Sequence, residues 1–244
     1  MSFPNEIPHG DSALPVERPP GSLPDIEQFL RMSPWAGGLS ESSLAMLQTA
    51  TCVRTLEPGQ VLCRQGDRPS HWFGIMQGLL RMDMLCADGN ATSVTAAPVG
   101  TWFGEASLVI EQDWSYEISA LRHARIACIG RDTFRKLFRE NEAFNDVVSR
   151  MLARRLLLFI DMFADQRRAD IDRRVARILV SLVPRASAGP AATIDITHDE
   201  LATLAGVSRQ RAGRALQALQ AQGLLETAYS RVTIFDRGEL QSAC

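Results

Sequence analysis

Residues 197–223 read THDELATLAGVSRQRAGRALQALQAQG. Thr197 followed by Glu200 is a capping box, in which each side chain satisfies the other residue's backbone N–H, so a helix is expected to start near His198. Leu201, Ala202 and Ala205 fall on its inner face, and Ala202 has to be small if a second helix crosses close to it. Gly206 ends the helix in a tight turn at the positive φ that glycine tolerates best. Val207 plugs the corner and Ser208 caps a second helix. Ala212, Ala215, Leu216 and Leu219 form the buried side of that helix, and Gly223 stops it. Small, glycine, apolar and capping residues are all in register, and the pattern is a helix-turn-helix.

The same geometry leaves a polar row on the outer face of the second helix. Arginine grips guanine O6 and N7 with two hydrogen bonds, and glutamine does likewise with adenine N6 and N7. Arg209, Gln210 and Arg214 are therefore assigned to reading bases of double-stranded DNA. Ser208, Arg211 and Gln217 are assigned to the DNA backbone, which positions without specifying. Beyond Gly223, residues 224–227 and 231–235 form a hairpin around Ala228-Tyr-Ser230, a wing that places Arg231 near the backbone as well. Charge is distributed to suit: residues 167–244 carry 11 basic and 8 acidic side chains, whereas residues 1–166 carry 15 and 20. A mildly basic end behind an acidic body is compatible with a polyanion site in the smaller part.

Working toward the N-terminus, Ile171, Val175, Ile178, Leu179 and Leu182 mark a helix over 170–183, followed by a loop at 184–190. Before it, Phe144, Val147, Val148, Met151, Leu152, Leu156, Phe159 and Phe163 recur at three and four residues, and neither Pro nor Gly interrupts from Asp132 to Pro184. Residues 156–160, LLLFI, are apolar nearly all round. A helix covered by its own barrel on one side and by a second subunit on the other explains this. Val148, Met151, Leu152, Leu156, Phe159 and Phe163 are accordingly assigned to a homodimer interface on a helix spanning 140–166. From Cys52 to Gly130 the chain turns to short apolar runs at 61–63, 72–76, 79–85 and 126–129, broken by glycines and turn pairs, among them 88–90. Strands at such even spacing indicate a small antiparallel barrel or sandwich. Ser40 caps a short helix with Leu44 and Leu47 on one face. The first 24 residues hold six of the twelve prolines and few apolar residues, and read as a flexible arm.

Composition narrows the function. The chain has 244 residues, 45% of them hydrophobic and 22% charged, with a net charge of −2, the balance of a globular protein. Nothing in it is apolar for long enough to span a membrane, and its start lacks the order of a signal peptide, so a cytoplasmic address is the default. Cys52, Cys63, Cys86, Cys128 and Cys244 match no zinc or iron–sulfur spacing, and no metal or cofactor is expected. No Ser/His/Asp set, metal cluster or phosphate loop supports an enzyme.

Residues 102–119, WFGEASLVIEQDWSYEIS, lie in a stretch without Lys or Arg from Met82 to Leu121. Together with Gly59, Gly66-Asp67 and Gly78, with Leu152-Ala-Arg-Arg-Leu156 and with residues 207–214, VSRQRAGR, this stretch resembles the CRP/FNR superfamily of bacterial transcription regulators. The likeness spans about residues 35–240. It implies an α+β fold: an N-terminal antiparallel β-roll or jelly-roll barrel of the cyclic-nucleotide-binding kind (25–139), a long dimerisation helix (140–166) and a C-terminal winged helix-turn-helix (167–244). Further implications are a homodimer reading a palindrome with half-site centres roughly 10 bp apart, RNA polymerase as a partner, and signalling through the long helix.

The resemblance also places an effector pocket at Gly104, Glu105, Ser115, Tyr116 and Phe159. In cyclic-nucleotide-binding members the glutamate takes the ribose hydroxyl, and an Arg-Ser pair holds the cyclic phosphate. Here that pair is Ser115-Tyr116, and the purine-contacting hydroxyls of the long helix fall at Phe159 and Ile160. Losing a charge-assisted phosphate bond costs about 2–3 kcal/mol, so cyclic AMP is not expected to bind in the usual way. The effector is unidentified or absent, and Glu105 is left either to cap barrel N–H groups or to meet a small neutral or cationic molecule. Many relatives carry Glu where Gln210 stands. A ligand-binding signalling module that no longer reads DNA is the alternative.

Overall fold

The chain is described by a computed structural model over residues 23–85, 91–165, 171–183 and 190–242. It opens with α1 (Leu23–Met32) and α2 (Glu41–Ala50). Pro24, read as part of the arm, lies in the first turn of α1, where its missing N–H costs no helical hydrogen bond. The remainder of the arm and the 88–90 turn lie outside the described residues. Ser40 caps α2 by accepting from the Ser43 N–H at 3.2 Å.

The barrel strands are β1 (Thr51–Leu56), β2 (Val61–Cys63), β3 (His71–Gln77), β4 (Leu79–Leu85), β5 (Ala91–Pro98) and β6 (Trp102–Phe103). After α3 (Glu105–Ile110) come β7 (Glu117–Ala120) and β8 (Ala124–Gly130). They pair antiparallel into two four-stranded sheets, ordered β1-β8-β3-β6 and β2-β7-β4-β5.

Strand alternation sorts the side chains into two cores. Phe73, Ile75, Ile126 and Cys128 turn inward to meet Leu62, Leu80 and Ile118 of the other sheet. Their neighbours Trp72, Ala127 and Ile129 turn outward, under a helical layer made by α1, α2, α4 (Arg131–Glu140) and α5 (Glu142–Asp165). The first sheet is thus covered on both faces, which is why its strands read as continuous apolar runs. Trp72 and Trp102 lie with ring centroids 4.4 Å apart, and Trp35 stands edge-on to Trp102 at 5.0 Å.

The helical signal from Asp132 onward is not one helix. Asn141 adopts extended backbone between α4 and α5, and its Oδ1 accepts from the Phe144 N–H at 2.9 Å, so it both breaks α4 and starts α5. The 24 residues of α5 span about 36 Å at 1.5 Å per residue. The expected boundary between 166 and 167 falls on residues outside the described set, as do residues 184–189 of the expected loop.

The C-terminal domain follows: α6 (Ile171–Leu182), β9 (Ala192–Asp195), α7 (His198–Ala205), α8 (Arg209–Ala221), β10 (Leu225–Ala228), β11 (Arg231–Ile234) and α9 (Arg237–Ser242). The expected hairpin forms, and β9 adds a third strand in the order β10-β11-β9. Val175, Leu179, Leu201, Leu216 and Ile234 share a core that also takes in Leu79 and Ala96 of β4 and β5. The two domains meet there, and Arg122 fixes the edge of the contact: its Nε lies 3.0 Å from Glu200 Oε1 and its Nη2 donates to the Asp195 carbonyl at 3.0 Å.

Gly74 in β3 is required by Trp102, since a Cβ there would lie 2.6 Å from the indole ring. Gly74→Ala must displace a fully buried tryptophan, and is expected to cost about 1–3 kcal/mol, measured by urea unfolding.

Candidate functional site

The helix-turn-helix has the geometry its sequence dictates. Thr197 Oγ1 accepts from the Glu200 N–H at 3.1 Å, and Glu200 Oε2 accepts from the Thr197 N–H at 2.8 Å. Gly206 stands at φ 61° and ends α7, and Ser208 Oγ accepts from the Arg211 N–H at 3.4 Å to start α8. Ala212, Ala215, Leu216 and Leu219 are buried. Ser208, Arg209, Gln210, Arg211, Arg214 and Gln217 are all exposed on the opposite side, so the predicted polar row forms one accessible face. Arg231 is exposed at the start of β11, beside the fully exposed Tyr229 at the wing tip.

Two acidic partners were not foreseen. Arg209 Nη1 lies 3.2 Å from Asp199, and Arg231 Nε lies 3.1 Å from Asp195. All four side chains are well exposed, so each pair is worth little and yields readily to a phosphate or a base edge.

The second candidate centre is the cassette around α3. Gly104 stands at φ 100° at its N-terminus, packed so closely that a Cβ would meet Trp114 at 2.8 Å. Glu105 is fully buried. Among the described residues it is engaged by side chains and by no backbone N–H, unlike the capping role that was one expectation from the sequence. Its Oε2 accepts from the Trp72 indole N–H at 3.4 Å, and its Oε1 is bonded by the Arg155 guanidinium of α5, which also donates to the Trp102 carbonyl. The absence of a basic residue from 82 to 121 therefore misleads, because the cation comes from a distant helix. A signal for it existed: Arg155 shares the apolar α5 face of Leu152 and Phe159, where a charge needs a buried partner.

Glu105, Tyr116 and Phe159 line one continuous cavity. Burial, followed by the Glu105 charge, pushes the Tyr116 hydroxyl above its usual range, so it remains a neutral donor. Ser115 departs from expectation: it is exposed and lies outside the cavity. The chain bends at Ser115 and Tyr116 just before β7, with Trp114 and Tyr116 packed in the barrel core and Ser115 facing water.

Along α5, Val148 is fully buried against the barrel core, which corrects its assignment to a dimer interface: that position serves the protomer. Met151 and Leu152 are half-buried in the same cluster. Leu156, Leu157, Leu158, Phe159 and Ile160 stand 40–62% exposed, an apolar surface in water. The Phe163 side chain lies outside the described residues.

The described thiols Cys52, Cys63 and Cys128 lie in barrel strands. Burial pushes Cys63 up to about 12. A hydrogen bond with Cys52, followed by burial, raises Cys128 well above the thiol range. His71, half-buried, donates to or accepts from Ser70 Oγ at 2.9 Å, and desolvation lowers its pKa. Among the described residues no group of three or more His, Cys, Asp or Glu is placed to hold a metal, and no helix is long and apolar enough to cross a membrane.

Residues 53–141 match the family model of the cyclic nucleotide-binding domain, and residues 173–243 match that of the Crp-like helix-turn-helix domain. Among curated proteins the chain is similar to the CRP-like cAMP-activated global transcriptional regulator of Mycobacterium tuberculosis, 24% identical over 207 residues that cover 83% of this chain and 92% of the relative. It is similar also to the cyclic AMP receptor protein of Thermus thermophilus, 26% identical over 215 residues, 87% and 97% of the two chains. The fold matches that of FixK2 from Bradyrhizobium japonicum, with a TM-score of 0.64 at 16% identity over 79% of this chain and 96% of that one. It also matches that of the c-di-GMP-responsive regulator CLP of Xanthomonas campestris, with a TM-score of 0.58 at 22% identity over 80% and 99%.

Removing Arg155 leaves Glu105 buried without its cation. Arg155→Ala is expected to lose about 2–3 kcal/mol, at or below the low end for breaking a buried pair because Arg155 keeps some access to water. Glu105→Gln combined with Arg155→Ala should cost less than the two single changes summed. A double-mutant cycle in urea that is strictly additive removes the pair from this account.

Proposed function

We propose that the chain, which joins a match to the cyclic nucleotide-binding domain to a match to the Crp-like helix-turn-helix domain, is a CRP/FNR-type, homodimeric, sequence-specific DNA-binding transcription regulator. One observation carries the reading: the accessible face of α8 presents Arg209, Gln210 and Arg214 together, the residue types that read guanine and adenine in the major groove. Ser208, Arg211, Gln217 and the wing's Arg231 supply backbone contacts. The exposed apolar stretch 156–160 supports dimerisation through α5, since a partner helix removes that surface from water. Two such subunits read a palindrome and recruit or exclude RNA polymerase.

The relatives are named for cyclic AMP; this chain belongs to a subgroup that does not bind it in the usual way and lacks the iron–sulfur cysteines. The phosphate-holding pair is replaced by Ser115-Tyr116. In addition, Arg155 already engages Glu105, whose carboxylate takes the ribose in nucleotide-binding members.

Selection of sites from a random duplex pool is expected to enrich a palindrome with A at one step and G on either side. Arg209→Ala and Arg214→Ala should each weaken that site by about 1–3 kcal/mol and relax one base position, while Gln210→Glu shifts the A step toward C. Unchanged affinity in the Arg209→Ala, Arg214→Ala double variant means that DNA is not read by this helix. Phe159→Glu, at an exposed position, is expected to give monomers by light scattering and lose the palindrome; an intact dimer places the interface elsewhere.

A further inference from the structure

The cavity that holds Glu105 extends well beyond the cassette. It occupies about 1970 Å³ and is walled on one side by β4, β5 and α5, and on the other by α6, α7 and α9 of the DNA-binding domain. Ligand pockets commonly measure about 300–1,000 Å³, so there is room for a molecule of nucleotide size or larger. Among the described residues lining it, eight are arginine and two are carboxylates. Both carboxylates are already engaged within the protein: Asp83 by Arg81 at 2.7 Å, and Glu105 by Arg155.

The cations come from both walls. Arg154 of α5 supplies the sensor side, where Arg81 and Arg155 are already balanced by Asp83 and Glu105, and Arg174, Arg177 and Arg237 stand on the DNA-binding side. Like charges gathered in a concave, partly desolvated space raise the local potential and concentrate anions there. Arginine's planar fork suits phosphate and carboxylate, gripping two oxygens at once. Neutral groups complete the wall. Ser93 Oγ is buried there without a protein partner, and Tyr116 keeps its proton.

We propose that this interdomain cavity binds a small molecule carrying two or more phosphate or carboxylate groups, which bridges the sensor barrel to the DNA-binding domain. The proposal rests on the reading of the chain as a regulator and names the class of its effector. Such a ligand neutralises cations on both walls at once, so its binding favours one arrangement of the two domains over others. A ligand with one negative charge satisfies a single wall and lacks that bridging effect.

Calorimetry on the full chain tests this with inorganic pyrophosphate and citrate, against sodium chloride of equal ionic strength and with cyclic AMP as the singly charged comparator. Saturable binding of pyrophosphate or citrate with Kd below 1 mM is expected, and which of the two binds separates phosphate from carboxylate. Arg174→Gln with Arg177→Gln should weaken it at least tenfold. Arg154→Gln, exposed on α5, gives a second reading should the first variant fold poorly. The inference is overturned by heats no larger than those of matched salt, by equal binding of cyclic AMP, or by wild-type affinity in a folded variant. Gel shifts on the selected duplex run in parallel: anion binding without DNA binding rejects the regulator and keeps the cavity, and the converse rejects only the cavity.

Discussion

A carboxylate without water has to find a cation, and Glu105 finds Arg155. That pair fixes more than two side chains. Glu105 opens α3, Arg155 sits midway along α5, and the same guanidinium holds the Trp102 carbonyl at the barrel edge. Trp72 adds its indole N–H from β3. The cassette, the long helix and the aromatic layer therefore share one electrostatic knot. Around it Trp35 and Trp72 each pack against Trp102, Phe144 and one another, with ring centroids 4.4–6.0 Å apart. Displacing α5 would break the ion pair and loosen this layer together.

The parts of the molecule legible in the sequence are those whose rules are local. Thr197 and Glu200 are three residues apart, Gly206 needs its own φ, and Ser208 caps the helix it begins, so the helix-turn-helix could be read one residue at a time. Strands such as 79–85 showed because their apolar runs end at glycine. What escaped is long-range or weakly patterned. β5, ATSVTAAP, has small and hydroxyl residues in place of large apolar ones, yet it pairs with β4 along its whole length. Arg155 lies fifty positions from Glu105, and spacing in sequence says nothing about such a partner. Val148 failed for a related reason: helical periodicity identifies an apolar face but not which body covers it. Asn141 looked like any polar helix residue until its side chain was seen capping α5.

The interface between the domains follows the same division of labour between apolar area and charge. Leu79 and Ala96 lend their side chains to the core of the DNA-binding domain, which supplies non-directional attraction. Arg122 supplies direction, because its bonds go to Glu200 and to the Asp195 carbonyl. Glu200 is also the residue that caps α7. A sensor loop thus grips the carboxylate that begins the first helix of the DNA reader, and Asp195 sits beside the wing's Arg231. Movement of the barrel edge reaches both reading elements through a short chain of ion pairs and hydrogen bonds.

On the proposed reading, Ser115-Tyr116 standing where nucleotide-binding members carry Arg-Ser is not an isolated loss. In a cassette that carries its own cation, an anion bound locally is held by one wall alone. Here the positive charge comes from α5 and from the DNA-binding domain, so electrostatic attraction for an anion exists only where those elements come together. A pocket whose charge depends on the domain arrangement responds to that arrangement by construction, since linkage makes the influence reciprocal. The exposed LLLFI segment of α5 lies between the two, beside Arg154 and Arg155. Covering it with a second subunit would bring the charged wall and the apolar seam under one constraint, so that packing at the dimer axis and binding in the cavity draw on the same helix.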